Sequence, residues 1–146
     1  MKKFLSFAAI ALCVSFASCS DEDDAYVPKP VDVSTGVFVI NSGNQSSQIS
    51  GSITSIDYKS LTATQKVFQA ANGRNLGTTP NDAIIYGEKM YIVVTGENIV
   101  EVVNKNDMRS IATIKTADKM GADKGENPRH LASGNGKIYL STFKGY

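Results

Sequence analysis

An all-β fold built of four-stranded repeats, a β-propeller, is predicted for most of this 146-residue chain. Three observations predict it. Short β-branched and aromatic runs alternate with Gly-, Asn- and Ser-rich turns. Residues recur at a fixed spacing: Pro80, Lys89 and Tyr91 return as Pro128, Lys137 and Tyr139 after about 48 residues, and Ile53, Leu61 and Val67 return as Val100, Met108 and Ile114 after about 47. Each unit of this length holds four antiparallel strands, the composition of a propeller blade.

In chain order, residues 1–18 read as a secretion signal. Lys2 and Lys3 form a positive start, and an apolar stretch from Phe4 to Phe16 ends in small residues. That stretch is shorter than the roughly 20 residues a membrane-spanning helix needs. Phe16-Ala17-Ser18-Cys19 resembles the bacterial lipobox, which implies cleavage before Cys19 and lipidation of its thiol; ordinary cleavage after Ala17 is the alternative. Phe16 stands where that motif usually has Leu. Residues 19–35 are expected to be a lipidated tether. Asp21, Glu22, Asp23 and Asp24 solvate its start, and Pro28 and Pro30 extend the rest.

The domain then divides into blade 1 at about residues 36–79, blade 2 at about 80–127 and a partial blade 3 at 128–146. Central strands are predicted at 36–41, 90–95 and 138–142, preceded in two cases by strands at 83–86 and 130–133. Gly87-Glu88 and Gly134-Asn135-Gly136 supply the positive φ of the hairpins between them. Third strands are predicted at 53–57 and 99–103, and fourth strands at 64–68 and 110–115. A ring of this kind closes with about six to eight blades, and seven would need roughly 340 residues. About two and a half blades are therefore expected here, as a truncated product or a fragment with exposed edges and faces.

Charge and cysteine content exclude several classes. Fifteen basic against fourteen acidic residues give a net charge of +1, so no cationic surface for nucleic acid is expected. Both cysteines lie in the first nineteen residues, and one histidine, His130, is present, so neither a disulfide scaffold nor a zinc site is expected. Gly134-Asn135-Gly136 is a turn and not a dinucleotide fingerprint. No Gly-x-Ser-x-Gly elbow occurs, and Asp118, Asp123 and Glu126 on one loop make no specific carboxylate pair. No enzymatic activity or cofactor is expected.

Connections alternate between two rims. The long ones, 42–52, 69–80 and 116–129, share a rim, and long loops are the usual carriers of function. Asn81-Asp82 and Arg129-His130 hold equivalent repeat positions there. With Asn72, Arg74 and Asn75 they are the candidate ligand-binding residues, since amides and guanidinium suit a polar, amide-rich ligand.

The runs Val37–Gly43 (VFVINSG), Met90–Gly96 (MYIVVTG) and Ile138–Thr142 (IYLST) resemble the repeats of YVTN-type surface-layer propellers. Ala70–Gly77 (AANGRNLG), Pro80-Asn81-Asp82 and Tyr86–Tyr91 resemble Bacteroidetes surface propeller lipoproteins more narrowly. This resemblance implies lipid anchoring at the outer membrane and display on the cell surface, helped by the acids after Cys19. It also implies capture of a nutrient such as cobalamin or another corrinoid for a TonB-dependent transporter. The alternative is a surface propeller that binds proteins or matrix and takes no small ligand.

Overall fold

The computed structural model describes residues 34–145. The expected signal peptide, Cys19 and all but the last two residues of the tether lie outside these described residues. Among the described residues the domain is all-β, with nine strands in three antiparallel sheets, two short α-helices and one 3-10 turn at Thr95–Glu97. The first sheet runs β1 (Gly36–Asn41), β2 (Ser52–Asp57), β3 (Thr62–Thr64). The second runs β4 (Pro80–Tyr86), β5 (Lys89–Val94), β6 (Ile99–Asn104), β7 (Ser110–Lys115), and the third pairs β8 (Pro128–Gly134) with β9 (Lys137–Thr142).

The second sheet shows why these runs are strands. Met90–Val94 and, apart from Glu101, Ile99–Val103 are rich in β-branched and other apolar residues, and the opposed pairs Met90–Val103, Tyr91–Val102 and Val93–Val100 stack side chains on both faces. Met90, Ile92 and Val94 join Ile53 and Phe68 in the main core, with Phe38 packed against them. Tyr91 and Val100, on the opposite face, line a groove shared with Ile138 and Leu140 of the third sheet. Lacking a solvent face, these central strands show no polar alternation. Their hairpins carry the turn chemistry anticipated: Gly87 has φ 63°, and Asn135 and Gly136 have φ 50° and 76°.

Two segments depart from expectation. The fourth strand predicted at 64–68 is instead the short β3 followed by helix α1 (Val67–Asn72). Phe68 is fully buried there, and Val67 and Ala71 pack on the same core, so the segment turns a helical face inward to plug the space beside β2. Six residues are too few for a helical period to stand out against a β-rich background. The loop predicted at 116–129 begins with a second helix, α2 (Thr116–Met120), anchored where the Thr116 hydroxyl lies between the carbonyls of Asn98 and Gly125.

The repeat is written in the backbone as well as the sequence. Leu61 and Met108 both take left-handed φ, at 54° and 60°, before β3 and β7. Thr79 and Asn127, each preceding the proline that opens β4 or β8, do so at 55° and 52°. The Thr79 carbonyl accepts the N–H of Thr95, and the Asn127 carbonyl accepts that of Phe143, so both hairpins are closed by one device.

Candidate functional site

β4 and β8 lie side by side without sharing a ladder, and polar side chains join them. Asn81 Nδ2 donates to the Arg129 carbonyl at 2.8 Å. The Leu131 N–H donates to Asp82 Oδ2 at 2.8 Å, while Asp82 Oδ1 accepts from the Ala83 N–H at 2.9 Å. His130 Nδ1 stands 3.7 Å from Asp82 Oδ2, with the imidazole 71% and the Asp82 side chain 31% exposed. The Arg129 guanidinium lies over the Phe143 ring, 5.6 Å from its centroid. Below, the Thr95 hydroxyl donates to the Pro128 carbonyl at 2.6 Å.

Both polar pairs follow a left-handed residue and a proline. Thr79-Pro80 and Asn127-Pro128 pin the chain at the mouth of each hairpin, and the next two side chains emerge at the same end of adjacent strands. A β-branched residue at positive φ is held against its own preference, a kind of strain that clusters at functional sites. Four predicted residues, Asn81, Asp82, Arg129 and His130, are thus brought together in one seam.

Asn72 and Arg74 are not part of it. Asn72 Nδ2 lies 2.8 Å from each of the Phe68 and Met108 carbonyls, and its Oδ1 accepts the Ser110 N–H at 2.8 Å. Arg74 donates to Glu101 Oε1 at 2.7 Å and to the Ser110 hydroxyl at 3.2 Å, with its guanidinium 4.9 Å from the Phe68 ring centroid. The ladder places Asp82 level with Val93, Val100 and Ile114, and Ser110 level with Val103. Asn72 therefore sits about four residues, or roughly 13 Å, along the strands from the seam and across the width of the sheet. The expected grouping on one rim separates because α1 carries the chain towards the Gly87 end before it returns to Pro80. Asn75 is exposed beside buried Leu76 and belongs to neither cluster.

Sequence reasoning missed Glu101. Its side chain is fully buried, and it accepts from Arg74, from the Ser110 hydroxyl at 2.5 Å and from the Thr113 hydroxyl at 2.8 Å. A lone acid inside Ile99–Val103 (IVEVV) was the available signal: such a residue must find partners or leave the strand unstable. The groove was missed as well. Tyr91, Val100, Ile114, Met120, Ile138 and Leu140 line a largely apolar space of about 380 Å³ between the second and third sheets.

An all-β domain of sequence-repeated antiparallel sheets, with a polar seam joining equivalent strands, is the class these features define. Residues 35–146 match the family described as a domain of unknown function (DUF5074), and the chain belongs to that family. No curated protein is significantly similar to the chain.

Proposed function

We propose that the domain is the ligand-binding part of a lipid-anchored surface protein, built as blades of a β-propeller and capturing a corrinoid or similar nutrient for an outer-membrane transporter. The observation that carries the reading is the seam: Asn81-Asp82 and Arg129-His130 open equivalent strands, and the His130 ring is mostly exposed. An imidazole, a guanidinium and amides side by side can grip a polar, amide-bearing ligand by several hydrogen bonds at once. The lipid anchor and outer-membrane location rest on the Lys2-Lys3 start, the lipobox-like Phe16–Cys19 and the acids that follow it. Calorimetric titration of the solubilised chain with cobalamin tests the proposal: saturable binding that weakens in Arg129→Ala and His130→Ala supports it, and absence of heat or of saturation defeats it. A second reading, a propeller that binds other proteins, draws on the apolar side chains Val37, Val39, Tyr139 and Phe143 exposed on the two end sheets.

A further inference from the structure

We infer that the tip of the β8–β9 hairpin, Asn135-Gly136, is a site of spontaneous covalent modification, where the Asn135 amide is hydrolysed through a succinimide to aspartate and isoaspartate. This inference goes beyond the ligand-capture proposal and depends on neither the corrinoid nor the anchor.

Asn-Gly occurs twice in the chain, as Asn72-Gly73 and Asn135-Gly136. A glycine after asparagine has no Cβ to obstruct its own nitrogen, so the sequence alone makes both pairs comparably reactive. The fold separates them. Asn72 ends α1, and its amide is held by bonds to the Phe68 and Met108 carbonyls and the Ser110 N–H. The Gly73 N–H donates to the Gln69 carbonyl at 2.9 Å and caps the helix. Asn135 is exposed, and its side chain has no hydrogen-bond partner among the described residues. The Gly136 N–H donates at 3.0 Å to the hydroxyl of Tyr86, itself 38% exposed. Among the described residues no atom lies within 4 Å of where a Gly136 Cβ would stand. The equivalent turn of the second sheet, which packs against a sheet on each side, leaves the Glu88 side chain 74% exposed. Exposure thus belongs to the turn's place in its sheet.

The Gly136 nitrogen loses its proton to solvent and attacks Asn135 Cγ. A bond forms between them, the Cγ–Nδ2 bond breaks, and Nδ2 takes up a proton and leaves as ammonia. Water then opens the succinimide ring. Opening at Cγ gives aspartate; opening at the main-chain carbonyl gives isoaspartate, whose backbone runs through Cβ and Cγ. Attack requires rotation about the Asn135 Cα–C bond, because a left-handed residue, here at φ 50°, holds the next nitrogen away from its own side chain. At the hairpin tip that rotation disturbs one ladder pair, Gly134–Lys137, and the Tyr86 bond. At Asn72 it would break three side-chain bonds and the helix cap, so local opening there is the rarer event. Both products add a carboxylate to a turn flanked by Lys137. Aspartate tolerates positive φ and keeps the turn, whereas isoaspartate lengthens its backbone by one atom.

Ageing of the folded full chain, solubilised in micelles at mildly alkaline pH and followed by tryptic peptide mass mapping, tests the inference. The two pairs fall on separate peptides, residues 67–74 and 130–137, and neither peptide holds another asparagine. Peptide 130–137 should acquire the mass change of NH2 replaced by OH and elute as two products, aspartate and isoaspartate. Peptide 67–74 should react at least about tenfold more slowly, since it reacts only after a costlier local opening. In concentrated urea the two should react at comparable rates, and Asn135→Gln should leave the mass of peptide 130–137 unchanged on ageing. An unreacted Asn135 in the folded chain overturns the inference, as does equal reaction of the two peptides without urea. A mass gain that persists in Asn135→Gln overturns it by placing the reaction elsewhere. A rate difference in urea as large as in the folded chain overturns it too, because local sequence and not the fold would then select the site.

Discussion

Thr79 holds a backbone conformation that its own side chain opposes. At φ 55° its branched Cβ crowds the backbone, yet its N–H donates to the Ser42 carbonyl and its carbonyl accepts from Thr95, and these bonds keep it there. Its repeat equivalent is Asn127, a residue that tolerates this region. Thr79→Asn should therefore raise stability by about 1 kcal/mol in chemical denaturation. Gly51 is constrained differently: a Cβ there would overlap the Pro80 ring and the Asn41 carbonyl, so Gly51→Ala should lower stability by about 1–3 kcal/mol. Arg74 is the third such residue. Its guanidinium is the charge partner of buried Glu101, and it is partly exposed itself. Arg74→Ala should lower stability by about 1–3 kcal/mol, after discounting for that exposure, and Arg74→Ala combined with Glu101→Gln should recover part of the loss. A double-mutant cycle by urea denaturation measures both.

At the scale of elements, the turns carry the exposed charges, and they set a pH dependence. The Asp57 carboxyl is held below the usual carboxylate range first by the Ser60 N–H at 2.7 Å and then by the Ser60 hydroxyl at 2.8 Å, closing the turn between β2 and β3. Hydrogen bonds from Lys105 and Asn106 hold Glu88 down in the same way, tying the β4–β5 turn to the β6–β7 turn. A group whose pKa is lower folded than unfolded stabilises the fold above its unfolded pKa and ceases to do so as pH falls through its folded value. Asp57→Asn should thus lower the melting temperature at neutral pH, with the difference vanishing in acid. Lys144 has the opposite sign. Its pKa is raised by the hydrogen bond to Glu126 at 2.7 Å, so its contribution is present below the ordinary lysine value and lost as pH rises through the folded one. Strands were the legible elements, since β5, β6 and β7 follow from their β-branched runs and turn residues. Helix α1 was not legible, because Phe68 is drawn inward by a cavity that only the packing of the first two sheets creates.

Across the whole domain, the two ends of the second sheet have different tasks. One end gathers the seam of Asn81, Asp82, Arg129 and His130; the other carries Gly87, Lys89 and the Asn72 anchor at Ser110. Under the proposed ligand reading, Arg129→Ala should weaken binding by about 1–3 kcal/mol through lost charge-assisted bonds. Lys89→Ala and Lys137→Ala, exposed on the strands that leave the hairpin turns, should change it by less than about 0.5 kcal/mol. Equal losses at both ends, read by the same titration, would mean that the substitutions act on folding instead. The seam itself was only half visible in the sequence. The repeat aligned Asn81 with Arg129 and Asp82 with His130, but nothing local announced that one pair would bond to the backbone of the other.

The sequence by itself determined the all-β class, the positions of most strands, the hairpin turns and the spacing of the repeat. Each of these follows from local chemistry: side-chain branching, the φ that Gly and Asn allow, and the proline that opens a strand. Tertiary structure alone decided which polar residues share a site. Arg74 was drawn to Glu101 because a buried carboxylate must find a cation and hydroxyls in whichever neighbour packs against it. Asn72 was drawn to Ser110 because the ends of α1 and β7 meet only once the first and second sheets have closed on their common core.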